Sequence, residues 1–315
     1  MKLVLFDDER PGILKSDGIV DISEVISSAD LDSGQESMQF IINNMSDLRS
    51  EISDFCTNAE LKPLTDIKLM PPLPRPSKIL CMGGNYREFG ARDPEPMWGF
   101  LKDRDSVIGP GDTVILPEVD ANIFHHEAEL VVVFGQSGKS ISKSDAMDYV
   151  FGYTCGVDVS ARIYSGARGF SRNTDSLLIS EHKSHRTFAP IGPCITTKDE
   201  IKAPHNLGVQ LRVNDELRVD YNTSDTAHSI EESIEFVSNL EEINPGDVLF
   251  LGTNHQGLGA MQNDDLINIE IERVGEFSFN VSDPLRRRWD RGIDELTAKD
   301  IREGTGGPGA KVRPL

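Results

Sequence analysis

Residues 125 to 135 read HHEAELVVVFG, and no other segment limits the fold as tightly. The run 130–134 is apolar and rich in β-branched side chains, which is the composition of a core strand. Core strands seldom open with two carboxylates. In extended backbone, residues two apart share a face, so Glu127 and Glu129 point the same way. Like charges held that close repel, and burying them is costly without a positive partner. Two alternatives follow: a half-exposed edge strand with a wet acidic face, or a site that holds a cation.

A second segment bears on the choice. Residues 151–162, FGYTCGVDVSAR, form another short apolar run, interrupted by Asp158 and ending on Arg162. Three carboxylates on apolar segments are the hard oxygen donors expected for Mg²⁺ or Mn²⁺, ions that keep remaining positions for water and substrate. A zinc site would require His or Cys. His125 and His126 are adjacent, so in a strand they face opposite ways. Cys56, Cys81, Cys155 and Cys194 show no ligand spacing and read as free thiols of a reducing compartment.

Charge excludes one class of partner. Lys and Arg total 32 against 52 Asp and Glu, a formal net charge of -20 in 315 residues. A nucleic-acid partner requires a cationic face, so none is expected. No apolar stretch is long enough to span a bilayer, and Asp7, Asp8 and Glu9 stand where a signal peptide would need its apolar region. The expectation is a cytoplasmic protein without a membrane partner.

Along the chain, 1–25 reads as short strands, and 28–65 is polar with helical spacing. The Pro-rich LMPPLPRPSK (69–78) reads as a linker or an extended wrap. This gives a small N-terminal domain (1–70), a larger domain (71–290) and a C-terminal tail (291–315). The larger part is dominated by period two, with helical patches at SKSDAMDYVFGY and SIEESIEFVSNL, each opened by a Ser that can cap. Strands do not alternate regularly with helices, so the class is α+β and β-rich. The final REGTGGPGAKVRPL lacks apolar anchors; it is either disordered or packs on a partner.

In order, the segments KILCMGGNY, FLKDRDSVIGPGD, HEAELVVVFG, GYTCGVDVSAR, HKSHRTFAPIGPCITT, LRVNDEL, NPGDVLFLGT and GLG make the chain resemble the fumarylacetoacetate hydrolase family from about 78 to 283. The resemblance implies a mixed β-sandwich roll domain with a small N-terminal β-containing domain, and a homodimer. It implies a metal held by Glu127, Glu129 and Asp158, and a 2-oxo or diketo acid as small-molecule substrate. Lys183 matches a lysine over the metal site, and Thr253 a threonine that holds a substrate carboxylate. Asn85 and Tyr86 begin the segment that serves as a lid, under which Lys102 contacts substrate or is simply solvated. Arg162 binds an anion or pairs structurally.

The pattern breaks at the general base. Hydrolases of the family carry a His three residues after the tyrosine of Asn-Tyr, and a Glu three further on; here these positions are Phe89 and Arg92. Phe cannot move a proton. Glu88 and Asp93 lie one residue off register, and His255 in GTNHQG brings an imidazole beside the expected pocket, a group type suited to proton transfer. His126 is a further candidate.

Three functions stay open: a metal-dependent hydrolase of C–C bonds in acylpyruvate-like acids with a relocated base; a lyase or dehydratase acting on a 2-keto-3-deoxy sugar acid, with Lys183 or Glu88 as base; and a non-catalytic metal-dependent binder.

Overall fold

In the computed structural model, residues 1–162 and 182–303 are described. Their strands form a twelve-stranded sheet and a five-stranded sheet in a strand-dominated α+β architecture. The strand Ile123–Phe134 and its antiparallel partner Val150–Arg162 run through the middle of the larger sheet. Beyond Val150–Arg162 come Ala189–Thr197, Lys2–Phe6, Arg10–Lys15 and Gly18–Asp21. On the other side lie Val248–Phe250, Ile79–Gly83 and Trp98–Lys102.

Strand Ile123–Phe134 is buried from its second residue to its last, so the edge-strand alternative fails. Its period-two alternation feeds two cores. Val131 and Val133 join one with Phe250, Ile191 and Leu3. Phe124, Ala128, Leu130, Val132 and Phe134 join the other, together with Val209, Leu211, Ile267, Ile269 and Phe279 of the smaller sheet. Each fully buried side chain of this size is worth about 1.5–3 kcal/mol. A one-residue slip would turn Glu127 and Glu129 into the apolar layer between the sheets, at several kcal/mol per ion. The register is therefore fixed by the same pattern that places the acids.

The smaller sheet orders Glu216–Asn222, Gly208–Val213, Leu266–Ile271, Gly275–Ser282 and Thr113–Ile115. Its first hairpin turns at Asn214 and Asp215, both with positive φ, as a two-residue primed turn requires. Helices Gly34–Asn43 and Met45–Asn58 account for the polar helical stretch. Helix Ile230–Leu240 opens on a capping box between Ser229 and Glu232, as its sequence leads one to expect.

SKSDAMDYVFGY behaves differently. Only a single 3₁₀ turn forms, Ala146–Tyr149, and from Val150 the chain is strand. Val150, Phe151 and Tyr153 are better strand than helix formers, and pairing with Ala189–Thr197 outweighs the local helical pattern.

The N-terminal strands and the described part of the C-terminal segment are integrated with the main body. Leu3 pairs with Ile195 and Leu5 with Met70, and Leu3 and Met38 share a core with Val131. In the Pro-rich segment Pro71, Pro72 and Leu73 are buried. Within 291–303 a helix forms, Glu295–Arg302, with Ala298 and Ile301 buried. The rest of the Gly-rich tail, 304–315, lies outside the described residues.

Candidate active site

Glu127 stands directly opposite Asp158, and Glu129 opposite Gly156. Directly opposed residues in an antiparallel pair point to the same face with Cβ atoms roughly 5 Å apart. The three acids therefore converge, and one oxygen from each lies within 4.8 Å of the others. All three are buried. The absence of sulfur or imidazole from the trio, and its hard oxygen donors, fit Mg²⁺ or Mn²⁺.

Side-chain cations supply part of the positive charge that the sequence calls for. Lys183 Nζ donates to Glu127 Oε2 at 2.8 Å, Asp158 Oδ2 at 2.5 Å and Ser160 Oγ at 2.6 Å. Lys102 pairs with Asp158 Oδ1, and Arg162 Nη2 with Glu127 Oε1. Lys102 is thus buried in an ion pair and is not a solvated side chain. Glu129 has no such ion pair among the described residues; its Oε2 accepts the Gly252 N–H at 2.5 Å.

The electrostatics follow this asymmetry. Burial would raise Glu127, but Lys183 and Arg162 hold it well below the ordinary carboxylate range. Burial, followed by the charges of Asp158 and Glu127, pushes Glu129 well above that range. Burial lowers Lys183, and the Asp158 and Glu127 carboxylates more than reverse this.

A carboxylate–imidazole pair sits near enough to the trio for His255 to act on Glu127. Glu88 and Phe89 both adopt left-handed backbone, φ 55° and 58°, which turns Glu88 inward while Phe89 stays 61% exposed. Such conformations cost about 1–3 kcal/mol each and persist where the surroundings enforce them. Here Asp225 Oδ2 accepts both the Phe89 N–H at 3.0 Å and Asn254 Nδ2 at 2.9 Å, locking the two loops together. Glu88 Oε1 lies 2.7 Å from His255 Nδ1, and its Oε2 accepts the His255 N–H at 3.0 Å and Gln256 Nε2 at 2.8 Å. Burial would raise Glu88, but His255 and Gln256 bring it below its usual value. The imidazole acts electrostatically on Glu127 as well. In a neutral ring that gives its Nδ1 proton to the carboxylate, Nε2 is the acceptor.

Two other sequence candidates, His126 and Asp93, separate from this cluster. His126 projects to the opposite sheet face, and burial pushes it down to about 3. Asp93 is exposed, and Arg92 pairs with Glu95. Tyr86 is buried with its ring 4.8 Å from that of Tyr221, edge-on. Asn85 braces the loop through Leu251 O and the His228 N–H. Thr253 is buried one residue beyond the Gly252 N–H that touches Glu129. Three contributors escape the sequence: Ser160, Gln256 and the Gly252 N–H. Only Ser160 carries a sequence signal, its i+2 spacing from Asp158.

Comparison with known proteins now gives this geometry a family. The model for the fumarylacetoacetate (FAA) hydrolase C-terminal domain matches residues 78–282. The chain belongs to the fumarylacetoacetate hydrolase family. Among its family relatives is a mitochondrial oxaloacetate tautomerase of Xenopus laevis, 35% identical over 251 residues, 76% of each chain. A maleylpyruvate hydrolase of Aquipseudomonas alcaligenes is 28% identical over 298 residues, covering 89% of this chain and 99% of the relative. The crystal structure of maleylpyruvate hydrolase from Sphingobium sp. SYK-6, in complex with manganese(II) and pyruvate, superposes with a TM-score of 0.78. It is 33% identical, over 90% of this chain and 99% of that one. Among the described residues, no helix of this family member is long and apolar enough to cross a membrane.

Proposed function

We propose that this enzyme hydrolyses a C–C bond in an acylpyruvate-like 2-oxo acid, using Mg²⁺ or Mn²⁺ at Glu127, Glu129 and Asp158. One observation carries the reading: a carboxylate-oriented imidazole, Glu88–His255, lies beside a convergent acidic trio. When bound, the metal supplies Lewis-acid polarisation of the substrate carbonyl. His255 Nε2 takes a proton from water, whose oxygen adds to the distal carbonyl carbon; the C–C bond then breaks, releasing one acid and the enolate of pyruvate. Glu88 holds the ring and stabilises the imidazolium that forms. Lys183, its ammonium held by Glu127, Asp158 and Ser160, supplies positive charge beside the developing negative charge, and proton return to the enolate carbon completes the balance. Thr253, Tyr86, Arg162 and Lys102 complete the proposed substrate-binding shell.

A second reading is tautomerisation of a 2-oxo acid, supported by 35% identity to oxaloacetate tautomerases. The dyad would then carry a proton between carbon and solvent with no bond cleaved. The sugar-acid dehydratase loses its main support, because an intact dyad is available for water activation. We extend the proposal to a homodimer, with 1–70 as a small module on the edge of a 71–290 catalytic domain. The four free cysteines support a reducing, cytoplasmic setting. The test is mass spectrometry on acylpyruvates and ultraviolet absorbance on enol-oxaloacetate, each with Mg²⁺, Mn²⁺ or chelator. Hydrolysis yields two acids; tautomerisation changes absorbance at constant mass; no turnover of either substrate refutes the proposal.

A further inference from the structure

A chain of three side chains joins the C-terminal helix to a proposed metal ligand. His125 is fully buried and stands one pleat before Glu127 on the same face. Its Nδ1 lies 3.0 Å from Arg162 Nε, and its Nε2 lies 3.0 Å from Asp294 Oδ2. Arginine can only donate, so Nδ1 is the bare nitrogen and Nε2 bears the hydrogen given to Asp294. Arg162 in turn donates from Nη2 to Glu127 Oε1. Asp294 is the N-cap of helix Glu295–Arg302, accepting the Thr297 N–H at 3.1 Å and the Thr297 hydroxyl at 2.6 Å.

The same helix reaches the other half of the site. Gln256 Nε2 donates to Glu88 Oε2 at 2.8 Å and to Ala298 O at 3.2 Å, and Gln256 Oε1 accepts from Arg302 at 2.8 Å. This eight-residue helix is therefore linked to both the acidic trio and the dyad through chains of hydrogen bonds.

We propose that Asp294 and His125 are positioning residues: through Arg162 they hold Glu127 in its metal-binding rotamer, so that the C-terminal helix sets metal affinity. The inference rests on Glu127 being a ligand. Outer-shell partners of ligands typically change metal affinity by about 10- to 100-fold when removed.

The test is Mn²⁺ titration of the full chain, followed by electron paramagnetic resonance, for the wild type, Asp294→Ser and His125→Gln. Serine keeps the helix cap but withdraws the carboxylate from His125. Glutamine sets its amide where Nε2 stands, so it keeps a donor for Asp294 and leaves no acceptor at the Nδ1 position that Arg162 meets. Both variants are expected to bind Mn²⁺ about 10- to 100-fold more weakly, with activity restored at saturating Mn²⁺, a rescue that general structural damage would not allow. Should Asp294→Ser fail to fold, His125→Gln gives the result alone, because its helix cap is untouched. Wild-type affinity in folded variants overturns the inference while leaving the metal reading intact. A wild type that binds no Mn²⁺ overturns both.

Discussion

Glu88 and His255, 167 positions apart in sequence, meet at 2.7 Å between Oε1 and Nδ1. Each comes from a loop at the end of a strand, after Ile79–Gly83 and after Val248–Phe250, and those strands pair in parallel. Parallel pairing brings like ends together, so the two loops emerge side by side.

Removing either member of this pair should slow chemistry without loosening metal binding. His255→Asn is expected to lower kcat by about 10²- to 10⁴-fold, the usual contribution of a positioned base. Glu88→Gln should cost less, since the ring remains but loses its orienting charge. Steady-state kinetics beside Mn²⁺ titration checks this, and a His255→Asn enzyme with near-normal kcat would move the base elsewhere.

Among the three acids, the variants should divide by their cation partners. Asp158 is paired with both Lys102 and Lys183, so Asp158→Asn strands buried ammonium groups and should destabilise metal-free protein by about 3–5 kcal/mol. Glu129→Gln relieves repulsion from Asp158 and Glu127 and retains an acceptor for the Gly252 N–H. It should abolish Mn²⁺ binding while leaving the metal-free melting temperature unchanged or higher. Calorimetry in chelator measures both; equal destabilisation by the two would contradict this division.

Gly156, opposite Glu129, is packed closely by core side chains. A Cβ there would come within 2.5 Å of Val131 Cγ2 and 2.6 Å of the Phe250 ring. Gly156→Ala should therefore cost about 1–3 kcal/mol through overpacking. Urea denaturation reads the loss, and an unchanged midpoint would mean that the ring yields freely.

Acid stability should depend on Asp283. Burial would raise its carboxyl, but the Arg287 side chain and the N–H groups of Arg287 and Leu285 bring it below the ordinary 3.8. A carboxyl depressed in the folded state stabilises fully above its unfolded value, and that contribution fades as pH falls through the folded one. Asp283→Asn should thus cost about 2–3 kcal/mol at pH 7 and progressively less below pH 3.8. Denaturant midpoints from neutral to acid pH follow the difference; a gap that stays constant on acidification would exclude this linkage.

Period-two patterning determined much from sequence alone: the core strands, the shared face of Glu127 and Glu129, and the β-rich class follow from alternation, a property of a few consecutive residues. Asp158 stood out as an acid interrupting a second apolar run, and the ordered family segments added Lys183. What local pattern misjudged was SKSDAMDYVFGY, where pairing with a distant strand prevailed over helical spacing. Tertiary structure alone decided which cation meets which acid, that Glu88 rather than Asp93 turns inward, and that Asp294 reaches His125. Those contacts join residues from 25 to 169 positions apart, and their geometry depends on strand register and loop backbone across the whole sheet, so no neighbourhood of the sequence encodes them.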